Sequence, residues 1–332
     1  MRALFLKDAE TAPAIQTVED PAAGAADAVV SLRAAGLNHR ELWIAKGQYP
    51  GMTLPATLGA DGAGVVETVG SDGDQALSGQ EVVLYPGLGW GDDLRFPSAG
   101  FGLLGMPGPG TIAESIAVPA DNLFPKPTHL DFAQAAALPL AGLTAWRGLT
   151  TKAGLREGEA LLITGIGGGV AMQALDFAVA MGARVWVTSS SQETIDLAVQ
   201  RGAQGGVVYT DEGWAKTLGK AAGPIDVVFD GAPAGGFPAY VRTLAMGARV
   251  VVYGSTAGPV FKASAPDIFL RNLSIIGTNV GNQKEFGEML DFVGQHRLVP
   301  LVDRSFAFEE AADALRYLEE GHEAGKVIVA IA

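Results

Sequence analysis

The chain of 332 residues contains no cysteine. That removes disulfides, cysteine nucleophiles and thiolate-held zinc from the chemistries open to it. The absence suits a reducing compartment without proving one. Positive charge is also scarce. Lys and Arg number 23 against 36 Asp and Glu, for a net charge of −13. Nucleic-acid binders need a basic footprint, so this balance argues against that class; otherwise the acidity bears on solubility. Histidine is rare too: His39, His129, His296 and His322 are scattered, with no spacing that suggests a metal site or a triad. Long apolar runs are missing. The softest stretch, Phe132 to Trp146, is interrupted by Gln134, Pro139, Gly142 and Thr144 and is too short to span a bilayer. The apolar run within Met1–Glu10 is too short for a signal peptide. A cytoplasmic protein with no membrane or nucleic-acid partner is expected.

Glycine, by contrast, is abundant at 45 residues. Its densest cluster lies in Ala160-Leu-Leu-Ile-Thr-Gly165-Ile-Gly-Gly-Gly-Val-Ala171. Leu161 to Thr164 is a short apolar, β-branched run that reads as a buried strand. Gly165, Gly167, Gly168 and Gly169 follow, and then a helix-forming segment from Ala171 to Ala180. Strand, glycine turn and helix open a dinucleotide-binding unit: the backbone turns tightly, approaches a pyrophosphate, and meets it with the free N–H groups of a helix start. The spacing departs from G-x-G-x-x-G, since Val170 stands at the third glycine. It fits G-x-x-G-x-x-A, read as Gly165, Gly168 and Ala171. Taken alone, such a turn also occurs in strand–helix junctions that bind nothing.

The length suits two domains. Residues 1–122 read as mostly β, with strands at Val29–Arg33, Gly64–Val69 and Glu81–Tyr85 and a short helix over Leu37–Ala45. Pro86 to Gly110 is Gly/Pro-rich without a period and reads as a long loop. From residue 123 helices begin, near Asp131–Ala137 and over Ala141–Ala153. Strands then alternate with helices: Arg184–Thr188, Gln192–Arg201, Gly206–Tyr209, Glu212–Ala222, Ile225–Phe229, Gly236–Met246, Arg249–Tyr253 and Leu273–Ile276. This alternation predicts a parallel sheet covered on both faces, an α/β doubly wound domain over 123–278. Gly182, Gly202 and Gly247 are placed to close helices in the left-handed conformation. The tail, 279–332, carries amphipathic helices over Gln283–His296 and Glu309–Gly321 and a final strand Lys326–Ile331.

Several segments resemble one family in the same order along the chain. Leu58-Gly-Ala-Asp-Gly-Ala-Gly-Val-Val-Glu-Thr-Val-Gly70 is similar to its G-H-E-x-x-G-x-V-x-x-V-G segment. Ala136-Ala-Leu-Pro-Leu-Ala-Gly-Leu-Thr-Ala-Trp146 is similar to its A-A-L-P-x-A-x-x-T-A-Y helix. Gly36-Leu-Asn-His-Arg-Glu-Leu42 is similar to its G-x-[CN]-x-x-D segment, followed by Gly47-Gln-Tyr-Pro50. With the glycine turn, these identify a resemblance to the medium-chain dehydrogenase/reductase superfamily. The resemblance implies a β-rich GroES-like catalytic domain over 1–122, a Rossmann domain over 123–278, and a return to the catalytic domain over 279–332. In zinc-dependent members a Cys, a His and a later Cys or Asp hold the metal; the corresponding positions here are Asn38, Ala60 and Leu140. Alanine and leucine cannot ligate, and Asn38 alone cannot hold zinc. Arg40 stands where the family's relay hydroxyl would be, and the 86–110 loop lacks the four cysteines of the structural zinc lobe. The zinc-free quinone oxidoreductase and enone reductase branch, which carries Asn at the Asn38 position, resembles the chain better.

The resemblance implies a bound nicotinamide dinucleotide. The second Rossmann strand ends in Thr188-Ser-Ser-Ser191, with no acid before Glu193. An NAD site places a carboxylate there, whereas Ser189, Ser190 and Ser191 can donate to a 2′-phosphate, so NADP(H) is expected. One of these serines also suits a helix N-cap. Tyr209 matches a family tyrosine near that phosphate. The family's usual lysine is Thr194, with Arg201 a substitute only where the fold brings it close. Thr144 matches the threonine under the nicotinamide, or is a buried helix hydroxyl bonded to its own backbone. Gly254 and Ser255 end the fifth Rossmann strand and Thr278 follows the sixth, at the edge where ligands sit. On the substrate side Asn38 orients an acceptor or a ribose hydroxyl, or caps its helix. Tyr49, Trp43, Trp90 and Phe96 are candidate aromatic walls, or packing. Asp61 suits a structural ion pair, and Arg40 and Glu41 suit pairing with each other. No residue stands out as a proton donor, so reduction of a C=C bond would take its proton from water. The expected function is hydride transfer to a quinone, enone or similar conjugated carbonyl; a metal-free alcohol dehydrogenase and a non-catalytic NADP(H)-binding protein are the alternatives. A homodimer is expected through the last Rossmann strand, Asn272 to Ile276.

Overall fold

The computed structural model describes residues 1–321 and 323–331; His322 lies outside the described residues. Two compact units emerge, Met1–Leu143 with Gly281–Ala332, and Thr144–Val280. The change in sequence texture at residue 123 precedes the structural boundary. Residues 123–143 belong to the first unit because strand Leu123–Pro125 pairs with Glu81–Leu84, and the Leu140 amide bonds Asp61 Oδ1 at 2.8 Å.

The first unit is built on a seven-stranded sheet. Leu123–Pro125, Glu81–Leu84, Asp61–Val69, Asp27–Gly36, Lys326–Ala330 and Val302–Ala307 lie in that order, with Ser115–Pro119 also pairing Asp27–Gly36. The C-terminal strand is inserted beside Asp27–Gly36, pairing Ile328 with Gly36. Strand Asp27–Gly36 also pairs Gly36 with Asp61. Gly36 is therefore flanked by the two strands that carry Asp61 and Lys326. It must be bare: a Cβ there would come within 2.5 Å of the Ala136 carbonyl oxygen. Leu4, Leu32, Ile44, Ile112 and Val329, all fully buried, form part of the core on this sheet.

The loop over 86–110 is tied down rather than open. Gly87–Leu88 pairs with Gly102–Leu103, and Trp90 packs edge-on against Phe101 at 5.1 Å. Trp90 is buried, while Phe96 lies exposed.

The second unit is a six-stranded parallel sheet in the order Gly205–Val208, Arg184–Ser189, Ala160–Ile163, Ile225–Asp230, Leu244–Val252, Ser274–Gly277. The chain starts in the middle and winds outward both ways, the doubly wound Rossmann arrangement. Helices Gly169–Ala180, Gln192–Gln200 and Trp214–Ala222 make the crossovers. Every residue of Ala160–Ile163 is buried, as a strand covered on both faces requires.

Three expectations from sequence are corrected here. The helix expected over Gly236–Met246 runs from Pro233 to Tyr240, and Leu244–Met246 opens the strand Leu244–Val252 instead. Leu244 pairs with Ile225, and the register shifts before Val227 meets Arg249. Gly247, with φ +75°, absorbs that irregularity inside the strand and closes no helix. The helix expected over Ala141–Ala153 is α-helical only over Pro139–Arg147 and continues as a π-helical turn, Gly148–Lys152. Gly148 lies against Phe229, where a Cβ would come within 2.3 Å of the ring. Among the described residues no helix is long and apolar enough to cross a membrane.

Candidate active site

The glycine turn behaves as its sequence predicts. Gly165 has φ +62°, a conformation that glycine adopts without strain. Ile166, fully buried, plugs the turn into the sheet, and its amide bonds the Thr188 carbonyl at 2.9 Å. Helix Gly169–Ala180 then starts from the N-cap residue Gly168, whose φ is −71°. Any residue adopts that angle, and a Cβ on Gly168 would meet nothing within 4 Å among the described residues. Neither backbone nor packing requires a glycine there. The bare space in front of a helix N-terminus fits a pyrophosphate.

The remaining cofactor candidates sit at the carboxyl ends of the same parallel strands: Ser189–Ser191, Tyr209, Gly254–Ser255 and Thr278 follow four different strands of this sheet. Gly254 lets two of these ends approach, since a Cβ would lie 3.0 Å from the Gly231 carbonyl oxygen. Ser191 Oγ caps helix Gln192–Gln200, accepting the Thr194 amide at 3.4 Å, and Ser189 Oγ accepts the Ser191 amide at 3.1 Å. Each hydroxyl keeps its own hydrogen to donate. Ser190 and Tyr209 are exposed. Arg201 is not part of this end: Asp176 holds it in a bidentate pair at 2.7 and 2.9 Å. Thr144 is buried in the second unit.

Asp230 was missed by sequence reasoning. It ends the strand next to the glycine-turn strand and is fully buried. Its Oδ1 accepts Thr164 Oγ1 at 2.6 Å and the Ala232 amide at 2.8 Å; its Oδ2 accepts the Tyr240 hydroxyl at 2.6 Å. Thr164 immediately precedes Gly165, so this carboxylate locks the entrance to the turn. Burial, helped by Asp230, holds the Tyr240 and Tyr253 hydroxyls far above the usual phenol range, so both stay neutral.

The substrate-side candidates fall in the first unit, around a buried charge cluster. Lys326 Nζ, 3% exposed, donates to the Leu37 carbonyl at 2.6 Å, to Asn38 Oδ1 at 2.6 Å and to Asp61 Oδ2 at 2.9 Å. Asn38 Nδ2 donates to the same Asp61 oxygen at 2.9 Å, and the Asn38 amide bonds Glu41 Oε2 at 2.8 Å. Arg40 Nη1 pairs with Glu41 Oε1 at 2.8 Å and bonds the Leu104 carbonyl at 2.9 Å. Burial pushes the Glu41 carboxyl above its ordinary range, against the pull of Arg40.

Asn38 is thus engaged at both ends of its amide and 9% exposed. The geometry places it at the N-cap of helix His39–Ala45, as the capping alternative has it, between the Asp61–Lys326 and Arg40–Glu41 pairs. Tyr49 covers the Arg40 guanidinium, 5.2 Å from ring centroid to Cζ. Trp43 lies 44% exposed, with Lys46 over its ring. The structure gathers Asn38 and Tyr49 around Arg40 and leaves Trp43 outside. His129 bonds the Leu298 carbonyl, His296 stacks on Phe292, and His39 lies 3.7 Å from Glu323. Among the described residues, no group of three His, Cys, Asp or Glu could hold a metal.

Comparison with known proteins agrees with this architecture. The family described as alcohol dehydrogenase GroES-like domain matches residues 24–128, and the one described as zinc-binding dehydrogenase matches 169–295. A zinc-type alcohol dehydrogenase-like protein of Leptosphaeria maculans is 36% identical over 96% of this chain and 94% of its own length. The chain belongs to the medium-chain dehydrogenase/reductase superfamily. It is therefore an oxidoreductase of that superfamily, with a pyridine nucleotide as its cofactor. Mouse quinone oxidoreductase is 27% identical over 91% of this chain and 88% of its own length. A solved structure titled NAD-dependent alcohol dehydrogenase superposes with a TM-score of 0.94 at 34% identity, over the whole of both chains. The match to the zinc-binding dehydrogenase family covers none of Asn38, Ala60, Asp61 or Leu140.

Proposed function

We propose that the chain is a cytoplasmic, zinc-independent, NADP(H)-preferring oxidoreductase that reduces quinones, enones and similar conjugated carbonyl acceptors. The observation that carries the cofactor end is Gly168, the N-cap glycine behind the turn, where neither the backbone angle nor packing requires a glycine and a phosphate would have room. When bound, the reduced nicotinamide supplies the hydride. The chain's residues hold it: the Gly165–Gly169 backbone at the pyrophosphate, Ser189, Ser190 and Tyr209 toward the 2′-phosphate, and Thr144, Gly254, Ser255 and Thr278 toward the nicotinamide end. No carboxylate stands at 188–191 to repel that phosphate. One charge-assisted hydrogen bond is worth about 1.5 kcal/mol or more, so a preference for NADPH over NADH of roughly tenfold in kcat/KM is expected.

The acceptor reading rests on the donor set. Ala60 and Leu140 offer no ligand atoms, so an alkoxide would lack the metal that stabilises its charge. A conjugated acceptor spreads incoming charge over its own π-system and needs less help. The likeness to a quinone oxidoreductase supports this, whereas the likeness to an NAD-dependent alcohol dehydrogenase favours simple alcohols and NAD. Assays with 1,4-naphthoquinone, an α,β-unsaturated aldehyde and a saturated ketone separate the two. Oxidation of NADPH by the first two, with little by the ketone, is expected. Turnover confined to alcohols and saturated ketones with NAD(H) would replace this reading by the second, and nucleotide binding without any turnover would point to a non-catalytic protein.

We further propose a homodimer in which two copies join through strand Ser274–Gly277, one of the two edge strands of the parallel sheet. Ile275 is 39% exposed on that edge, and Phe269 and Leu270, just before it, are 62% and 65% exposed. Such an edge invites pairing unless it is covered. Sedimentation equilibrium is expected to give twice the 34.2 kDa chain mass; a monomer at micromolar concentration would rule the dimer out.

A further inference from the structure

Asp230 bonds one neighbouring tyrosine and not the other. Its two oxygens are occupied by Thr164 Oγ1, the Ala232 amide and the Tyr240 hydroxyl. Tyr253 follows directly on the adjacent strand, Leu244–Val252, and its own amide bonds the Asp230 carbonyl at 3.1 Å. Its ring stacks on Phe229, with centroids 4.3 Å apart and planes 19° from parallel. Its hydroxyl has no hydrogen-bond partner among the described residues, and its oxygen is not one of those sealed from solvent. Burial beside Asp230 keeps it protonated. Two glycines make room for this pair of rings. A Cβ on Gly231 would lie 2.7 Å from the Tyr253 hydroxyl oxygen, and one on Gly148 would lie 2.3 Å from Phe229. Gly231 does not take a left-handed φ, so the phenol and not the backbone demands a glycine there. Thr144 stands one turn before Gly148 along the same helical segment, so it shares the side of the sheet on which the rings stack.

We propose that the Tyr253 hydroxyl donates a hydrogen bond to the nicotinamide half of the bound dinucleotide. The hydroxyl does nothing for the fold: phenylalanine would make the same stack without carrying a half-buried donor that lacks a partner. The order of the sheet says which half it meets. Ser189–Ser191 and Tyr209 lie on one side of the glycine-turn strand Ala160–Ile163, at the ends of Arg184–Ser189 and Gly205–Val208. Tyr253 lies on the other side, two strands along, which is roughly 10 Å from the turn. With the pyrophosphate at the turn and the adenosine toward the serines, the nicotinamide nucleotide extends toward Tyr253. That half offers the neutral acceptors a phenol suits, a ribose hydroxyl and the carboxamide oxygen. The inference rests on the dinucleotide reading of the glycine turn and not on the choice of acceptor.

The test is Tyr253→Phe in the full-length protein, with thermal melting and titration calorimetry of two ligands. NADPH carries both halves of the dinucleotide; adenosine 2′,5′-bisphosphate carries the adenine half alone. The variant keeps the stack on Phe229 and loses a hydroxyl that nothing in the fold holds, so its thermal midpoint is expected to match wild type. Its affinity for NADPH is expected to fall roughly three- to tenfold, the worth of one neutral hydrogen bond, with binding of the bisphosphate unchanged. Should wild type bind NADH more tightly, NADH and adenosine diphosphate form the pair, and the expected result is the same. Unchanged affinity for the dinucleotide overturns the role of Tyr253 and leaves the dinucleotide reading standing. An equal loss for both ligands, or a midpoint lowered by several degrees, also overturns it, because the hydroxyl then acts through the fold. A wild-type protein that binds none of these nucleotides overturns the dinucleotide reading, and this inference with it.

Discussion

Gly168→Asp is expected to weaken NADPH binding by about 100-fold while leaving the thermal midpoint unchanged or slightly higher. The two halves of this outcome have separate causes. Gly168 is the N-cap of helix Gly169–Ala180, with φ −71° and ψ 152°. Aspartate is among the preferred residues there, so the change is neutral to favourable by a few tenths of a kcal/mol for the helix. Nothing in the protein stands within 4 Å of the new Cβ among the described residues. A carboxylate roughly 5 Å from a phosphate, at the effective dielectric of a protein surface, costs about 3 kcal/mol, which is ~100-fold in affinity. Titration calorimetry with NADPH reads the first half and thermal melting the second. A variant that melts with wild type and binds NADPH as tightly would show that the turn holds no phosphate.

Asp230→Ala is expected to be the most destabilising single change in the second unit, at about 3–5 kcal/mol. The mutation leaves Thr164 Oγ1, the Ala232 amide and the Tyr240 hydroxyl facing a void that was fully buried. Tyr240→Phe removes one donor and keeps the other two, and should cost only about 1–2 kcal/mol. Thr164 leads directly into Gly165, so Asp230→Ala should also weaken NADPH binding where the variant remains folded. Melting followed by calorimetry ranks the two variants; equal midpoints for Asp230→Ala and wild type would show that the carboxylate is not holding the turn.

Much of the second unit was legible because its signals are local. The strand Ala160–Ile163, the positive φ at Gly165 and the helix behind it lie within about twenty consecutive residues, and each follows from residue type and spacing. Helix Gln283–His296 was equally plain from its amphipathic pattern, and the structure adds a capping box of Asn282 and Glu285 at its start. The segment Leu244–Met246 was not legible, because its apolar helix formers are recruited into a strand by a distant partner, Ile225. The charge cluster was hidden for the same reason. Lys326 and Asp61 are 265 positions apart, and pairing them requires knowing that the final strand inserts beside Asp27–Gly36. One signal existed: a lone lysine opening an otherwise apolar terminal strand, Lys326-Val-Ile-Val-Ala-Ile331. A buried strand tolerates such a charge only when it is paired.

Asn38 shows how the two levels combine. Its residue type was consistent with an acceptor contact or with a helix cap. The structure places it at the N-cap of helix His39–Ala45, with its backbone amide on Glu41, while its side chain bonds Asp61 and Lys326. Around Asn38 the chain places these ion pairs, and Ala60 and Leu140 beside them offer no ligand atoms. The most direct measurement of that account is steady-state oxidation of NADPH by 1,4-naphthoquinone, using protein whose zinc content has been determined and which has been treated with a strong chelator. The account predicts undiminished turnover by metal-free protein. Turnover that vanishes with chelation and returns in proportion to added zinc would contradict it.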